Sequence, residues 1–192
     1  MDLILESLYR LAQKYSKGKT VLLLFLMTMT VYILMLSYSI PKVTSFSPEI
    51  PIFDLSPFGY SHEHANQLLS ILGEEGRDVY LTTQLPLDFI YPGLFSITYS
   101  LLVIWLFGKS FSKNSRIYHL AWVPFFAGVF DYIENILIIE MICSFPETPA
   151  TTVNVASFFT ILKSVLTMLF FVVLLIGIVS YFRKLSLLKR EI

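Results

Sequence analysis

Four charged side chains stand deep inside stretches that are otherwise apolar, Asp88, Asp131, Glu134 and Lys163, while Glu140 lies nearer the end of its stretch. A charge at the centre of a bilayer costs about 2.5–3.5 kcal/mol on insertion scales, so such residues mark either a buried ion pair or a functional site. Three carboxyls facing one ammonium leave an imbalance. It is met by keeping a proton on one or two acids, by binding a cation, or by enclosing a wet cavity. Acids that keep a proton near neutral pH are what general acid–base catalysis and proton-coupled transport use.

Spacing decides which of these groups share a face. Arg77, Tyr80, Gln84, Asp88 and Tyr91 recur every three or four residues. So do Asp131, Glu134, Asn135 and Ile138, and likewise Ser157, Thr160, Lys163, Ser164 and Thr167. Each set falls on one side of a helix. With a rise of about 1.5 Å per residue, Lys163 lies roughly 12 Å below the outer start of its segment and Glu134 roughly 15 Å below the outer end of its own. Antiparallel neighbours would pair them. Asp131 falls one turn deeper, and Arg77 is placed to reach Asp88 from above. Asp88, Asp131 and Glu134 are therefore the candidate acid/base or cation-binding groups. Arg77, Tyr80, Gln84, Tyr91, Asn135, Thr160 and Lys163 are the candidates to tune them and hold a ligand.

The elements that must carry these residues follow from composition. The chain has 192 residues, 55% hydrophobic, 16% aromatic and 15% charged, with a mean hydropathy of +0.69. A soluble domain carries about 25% charged residues, so the composition speaks against a soluble globular domain and excludes a disordered chain. Fourteen basic and fourteen acidic residues cancel, which leaves no basic footprint for nucleic acid. A single cysteine, Cys143, forms no internal disulfide and no Cys-rich metal site. Four runs reach the roughly 20 apolar residues a spanning helix needs: residues 20–40, 85–107, 117–145 and 155–182. Eleven Lys and Arg lie in residues 1–19, 108–116 and 183–192, against Lys42 and Arg77 in 41–84 and none in 146–154. The positive-inside rule then puts both termini in the cytoplasm, in the inner (plasma) membrane if the source is bacterial. Residues 20–40 are followed by Tyr38-Ser39-Ile40-Pro41-Lys42 with no small-residue cleavage site, and read as a retained helix.

The fold expected is all-α: one membrane domain, a four-helix transmembrane bundle with an interfacial amphipathic helix over 2–15 and an extracytoplasmic helical cap over 41–84. In that cap Pro41, Pro48, Pro51 and Pro57 keep the first half extended. Ser61 is placed to cap a short helix that Gly73 ends. A second helix from Glu74 runs on into the second span, with Pro86 as a kink. His62-Glu63-His64 suggests a metal, but two positions apart on a helix the imidazoles diverge, so no metal and no cofactor is expected. Phosphate-loop, GxSxG and HExxH patterns are missing from the sequence.

Phe53-Asp54-Leu55, Gly59-Tyr60-Ser61, Leu72-Gly73-Glu74-Glu75-Gly76-Arg77, Tyr80, Asp88 and Tyr91-Pro92, with Asp131-Tyr132-Ile133-Glu134-Asn135 and Ser157-Phe158-Phe159-Thr160-Ile161-Leu162-Lys163, resemble a group of small bacterial four-helix integral membrane proteins of unassigned function. The likeness covers most of residues 50–180 and implies that Arg77, Asp88, Asp131, Glu134, Asn135 and Lys163 act as one set. A looser likeness, to the EXPERA group of sterol isomerases and sigma-2-type receptors, implies four helices and intramembrane carboxylates around an apolar pocket. It transfers no residue.

Two functional classes stay open on the sequence. One is a carboxylate-rich pocket in the outer half of the bundle for a lipid-like or amphipathic ligand, with proton transfer or isomerisation as its chemistry. The other is a non-enzymatic accessory or scaffold subunit whose Glu–Lys pair is structural and whose partner is another membrane protein. Proton or cation transport needs a polar path to the cytoplasmic side, and the inner halves of the first, second and fourth segments offer few residues for one.

Overall fold

The computed structural model describes residues 14–112 and 115–188. The amphipathic helix expected over 2–15 falls outside them but for its last two residues, as do Lys113, Lys189 and Arg190. Among the described residues the chain is helical, with no strand. Five helices carry the structure: α1 Gly18–Thr44, α2 His62–Val79, α3 Leu85–Ser110, α4 Trp122–Ser144 and α5 Ala150–Leu188. Among the described residues three stretches are long and apolar enough to cross a membrane: Gly18–Thr44, His62–Ser110 and Ala150–Leu187. The 23 residues of α4 reach about 35 Å, but Asp131, Glu134 and Glu140 interrupt their apolar character.

The apolar surfaces of α1 and α5 face outward. Leu22, Leu23 and Ile33 on the first, and Met168, Phe171 and Leu175 on the second, are all exposed. Helices apolar on every side belong in lipid. α4 packs against α5 and α3, α3 also against α5, and α1 on α3, with its last turn on α2; α1 and α5 flank α3 without packing closely on each other.

Local breaks fall where backbone chemistry puts them. Ser61 accepts a hydrogen bond from the His64 N–H at 3.1 Å and starts α2. Gly73, at φ 64°, breaks the helical path inside α2, in the left-handed region that glycine enters freely. Each of two prolines follows a widened turn. Met35–Ser39 is π-helical just before Pro41, and Tyr80–Gln84 is π-helical just before Pro86. A proline takes no part in the i→i−4 ladder and its ring crowds the carbonyl four residues back. An extra residue in the preceding turn relieves that crowding. The kink expected at Pro86 therefore takes the form of a π turn one step earlier.

Two apolar clusters result. One packs α2 and the segment around Ile52 and Phe53 onto Ile138, Met141, Val153 and Ala156. The other joins Phe95, Tyr99, Phe107, Phe170 and Val173. The buried polar residues Asp88, Asp131, Glu134, Asn135 and Thr160 lie on α3, α4 and α5 between those two sets of positions, with Gln84 in the π turn just before α3.

Candidate functional site

Pro92 places Asp88. Lacking an N–H, Pro92 cannot bond the carbonyl of Asp88 four residues back, and the fully buried Asn135 of α4 supplies the missing donor, Nδ2 to Asp88 O at 2.7 Å. At the same level α3 and α4 touch backbone to side-chainless backbone: a Cβ on Gly128 would lie 2.6 Å from Pro92 O and 2.0 Å from Ser96 Oγ. Asn135→Leu should therefore cost about 1–3 kcal/mol by stranding a buried carbonyl, and Pro92→Ala, which restores an intrahelical donor, should recover most of it. Unfolding in graded sodium dodecyl sulfate, followed by circular dichroism, reads both. An Asn135→Leu protein as stable as the parent would break this account of the kink.

Lys163 of α5 reaches two acids of α4. Its Nζ lies 3.0 Å from Asp131 Oδ1 and 2.6 Å from Glu134 Oε2. The other Glu134 oxygen accepts from Thr160 Oγ1 at 2.8 Å. Glu134 is wholly buried, whereas the Asp131 and Lys163 side chains keep 11% and 17% of their surface. Glu134 thus stands behind the lysine, and Asp131 and Lys163 face open space.

Asp54 completes the set, and the spacing analysis did not select it. Tyr80 OH donates to Asp54 Oδ2, and Gln84 Nε2 donates to Asp54 Oδ1 at 3.3 Å. Gln84 in turn accepts from Ser39 Oγ at 2.5 Å, so the two π turns meet through a buried bond and together hold the carboxylate. Asp88 lines the same cavity as Asp54, and among the described residues no donor reaches its Oδ2. The neighbouring Tyr60 is seated by its own N–H on Ser157 Oγ at 2.8 Å. Burial, then the charge of Glu134, pushes the Tyr60 phenol above its ordinary pKa.

Arg77 does not reach Asp88. Its Nη1 donates to Leu69 O at 2.7 Å and its guanidinium lies over the Phe145 ring at 4.7 Å. The break at Gly73 leaves carbonyls of the preceding turn without helical donors, and the arginine takes one of them. Among the other candidates, Tyr80 and Gln84 position Asp54, Asn135 holds the Asp88 backbone, and Thr160 holds Glu134. Tyr91, stacked on Tyr32 with ring centroids 5.5 Å apart, borders the open space directly.

That space is a cavity of about 480 Å³. Asp54, Asp88, Asp131 and Lys163 stand in its wall. Tyr32 and Leu36 of α1, Phe95 of α3, and Met168 and Phe171 of α5 supply apolar wall. Beyond Phe95 lie the ring of Tyr99, edge-on to it with centroids 4.7 Å apart, and the ring of Phe170, tilted against Tyr99 at 4.7 Å. His62 and His64 take no part: their Nε2 atoms contact the carbonyls of Thr148 at 3.0 Å and Pro51 at 3.1 Å.

Missed by the spacing analysis, besides Asp54, are Ser39 and Tyr32. The signal for Asp54 was an acid flanked by Ile52, Phe53 and Leu55 in a proline-rich segment, a setting with no helical period to assign it a face. No protein-family model, no curated protein and no solved structure matches the chain.

Proposed function

We propose that the chain is a four-span membrane protein, α1, α3, α4 and α5 crossing the bilayer with both termini cytoplasmic, residues 41–84 forming an outer cap, and that it binds a lipid-like or amphipathic ligand in the cavity beneath that cap. The observation that carries the reading is the cavity itself: one wall bears Asp54, Asp88, Asp131 and Lys163, while the rest is largely carbon. Sites for small molecules combine an apolar enclosure with a few convergent polar groups in this way. Asp88 and Asp131 are the acids able to exchange a proton with such a ligand, in a proton transfer or isomerisation, because both border the cavity. Glu134 acts through Lys163 by fixing its position.

The test is what travels with the protein. The full chain, taken through exhaustive detergent exchange and extracted with solvent, should release an amphiphile in near-stoichiometric amount by mass spectrometry. Thr167→Trp fills the cavity from α5 without touching an acid, and should abolish the bound species at unchanged stability. Equal retention by parent and variant would show that the cavity is not where it resides.

The rival reading, an accessory subunit with a structural ion cluster, draws support from one contact: the wholly buried Glu134 at 2.6 Å from Lys163. It accounts for Glu134 and Thr160. It leaves the cavity and the Asp54–Asp88 wall without a role.

A further inference from the structure

Resting on the pocket reading above, we infer that the ligand carries a protonated amine head, seated between Asp54 and Asp88, and that it enters sideways from the bilayer between α1 and α5.

The head group follows from charge. Asp54, Asp88 and Asp131 border the cavity, and among the described residues Lys163 is the only cationic side chain lining it. That lysine is already bound to Asp131 and Glu134. Two cations of the 41–84 segment are engaged elsewhere: Lys42 Nζ lies 3.4 Å from Thr83 Oγ1, and Arg77 sits on the Leu69 carbonyl. Asp88 is 97% buried, at 3% exposure, and among the described residues its Oδ2 receives no donor; a second carboxyl, Asp54, lines the same cavity. Two carboxyls in that relation need a proton or a cation between them. An ammonium supplies both the charge and the donors. A phosphate or carboxylate head would meet like charge, and a bare ion would leave most of the apolar space empty.

The route follows from packing. Tyr32, Leu36 and Met168, on the edges of the cavity, are exposed on the outer surface of the helices. They belong to α1 and α5, the two helices that flank α3 without closing on each other. Phe95, in the cavity wall, is backed by Tyr99 and Phe170. A chain lying along α5 from Lys163 to Phe171 covers roughly 12 Å and leaves its tail at the lipid-facing mouth.

The experiment compares two photoreactive probes of equal length, an octadecylamine and an octadecanol, each with a diazirine near the tail. The full chain is used, reconstituted in phosphatidylcholine nanodiscs. The amine should label at a concentration lower by about tenfold or more, the worth of a hydrogen bond to a charged group. Its adducts should map to peptides holding Leu36, Met168 or Phe171. Unlabelled octadecylamine should compete and octadecanol should not. Asp54→Asn with Asp88→Asn should erase the amine's advantage and leave alcohol labelling unchanged. The comparison on the parent protein stands even if that double variant fails to fold. Equal labelling by both probes at the groove overturns the amine head and leaves the pocket reading intact. Adducts confined to residues 45–61 overturn the sideways route. Saturable labelling by neither probe overturns the inference and the pocket together.

Discussion

Lys163→Met is expected to destabilise the folded chain by about 3–5 kcal/mol, the range for removing one partner from a buried ion pair. The reason is Glu134. With the ammonium gone, a wholly buried carboxylate keeps only the Thr160 hydroxyl, and Asp131 loses its 3.0 Å contact as well. Glu134→Leu on that background should return most of the loss, because Thr160 still bonds the Ala156 carbonyl at 3.0 Å and Asp131 borders the open cavity. Detergent-induced unfolding of the parent, the single and the double variant measures the cycle. A single variant within about 1 kcal/mol of the parent, the level of an exposed pair, would mean that the cluster does not hold the bundle. The same cycle separates the two functional readings. A purely structural cluster predicts that the stable double variant retains whatever the parent does, whereas a pocket predicts that it folds with altered ligand affinity, because Lys163 lines the cavity.

Gly128→Val is expected to cost at least as much as ordinary overpacking, about 1–3 kcal/mol, and more if α3 cannot move. A Cβ there meets the Pro92 carbonyl at 2.6 Å. That oxygen belongs to the backbone of α3, so it cannot swing aside as a side chain would. Adding Ser96→Gly removes the hydroxyl that lies 2.0 Å from the new Cβ but leaves the carbonyl in place. The double variant should therefore stay destabilised. Full recovery would assign the clash to the serine alone and free the backbone from blame.

Where a residue sits on a regular helix, periodicity alone reached the right surface. Asp131, Glu134, Asn135 and Ile138 are all buried on α4, and Lys163, Ser164 and Thr167 line one cavity from α5. The stop at Gly73 and the start at Ser61 were legible for the same local reasons. What spacing could not supply was register across an irregular turn. The π turn at Tyr80–Gln84 directs Tyr80 and Gln84 at Asp54, and Arg77, one turn earlier, goes to the Leu69 carbonyl. A face drawn with constant pitch from Arg77 to Tyr91 joins residues that the fold divides between two tasks. Asp54 was hidden for the complementary reason: its position depends on side chains from another element, Tyr80 and Gln84.

The paired π turns have an evolutionary consequence. Each is a one-residue surplus in an otherwise regular spiral, and a surplus of one is what a single-codon deletion removes. Loss of one codon within Thr82–Thr83 would regularise the coil and rotate everything upstream by about 100° relative to the stretch beyond. The lipid-facing pattern of that later stretch would be untouched, while the phenol of Tyr80 would swing off Asp54. Such a chain could keep its anchor in the membrane and surrender the acidic wall in one genetic step.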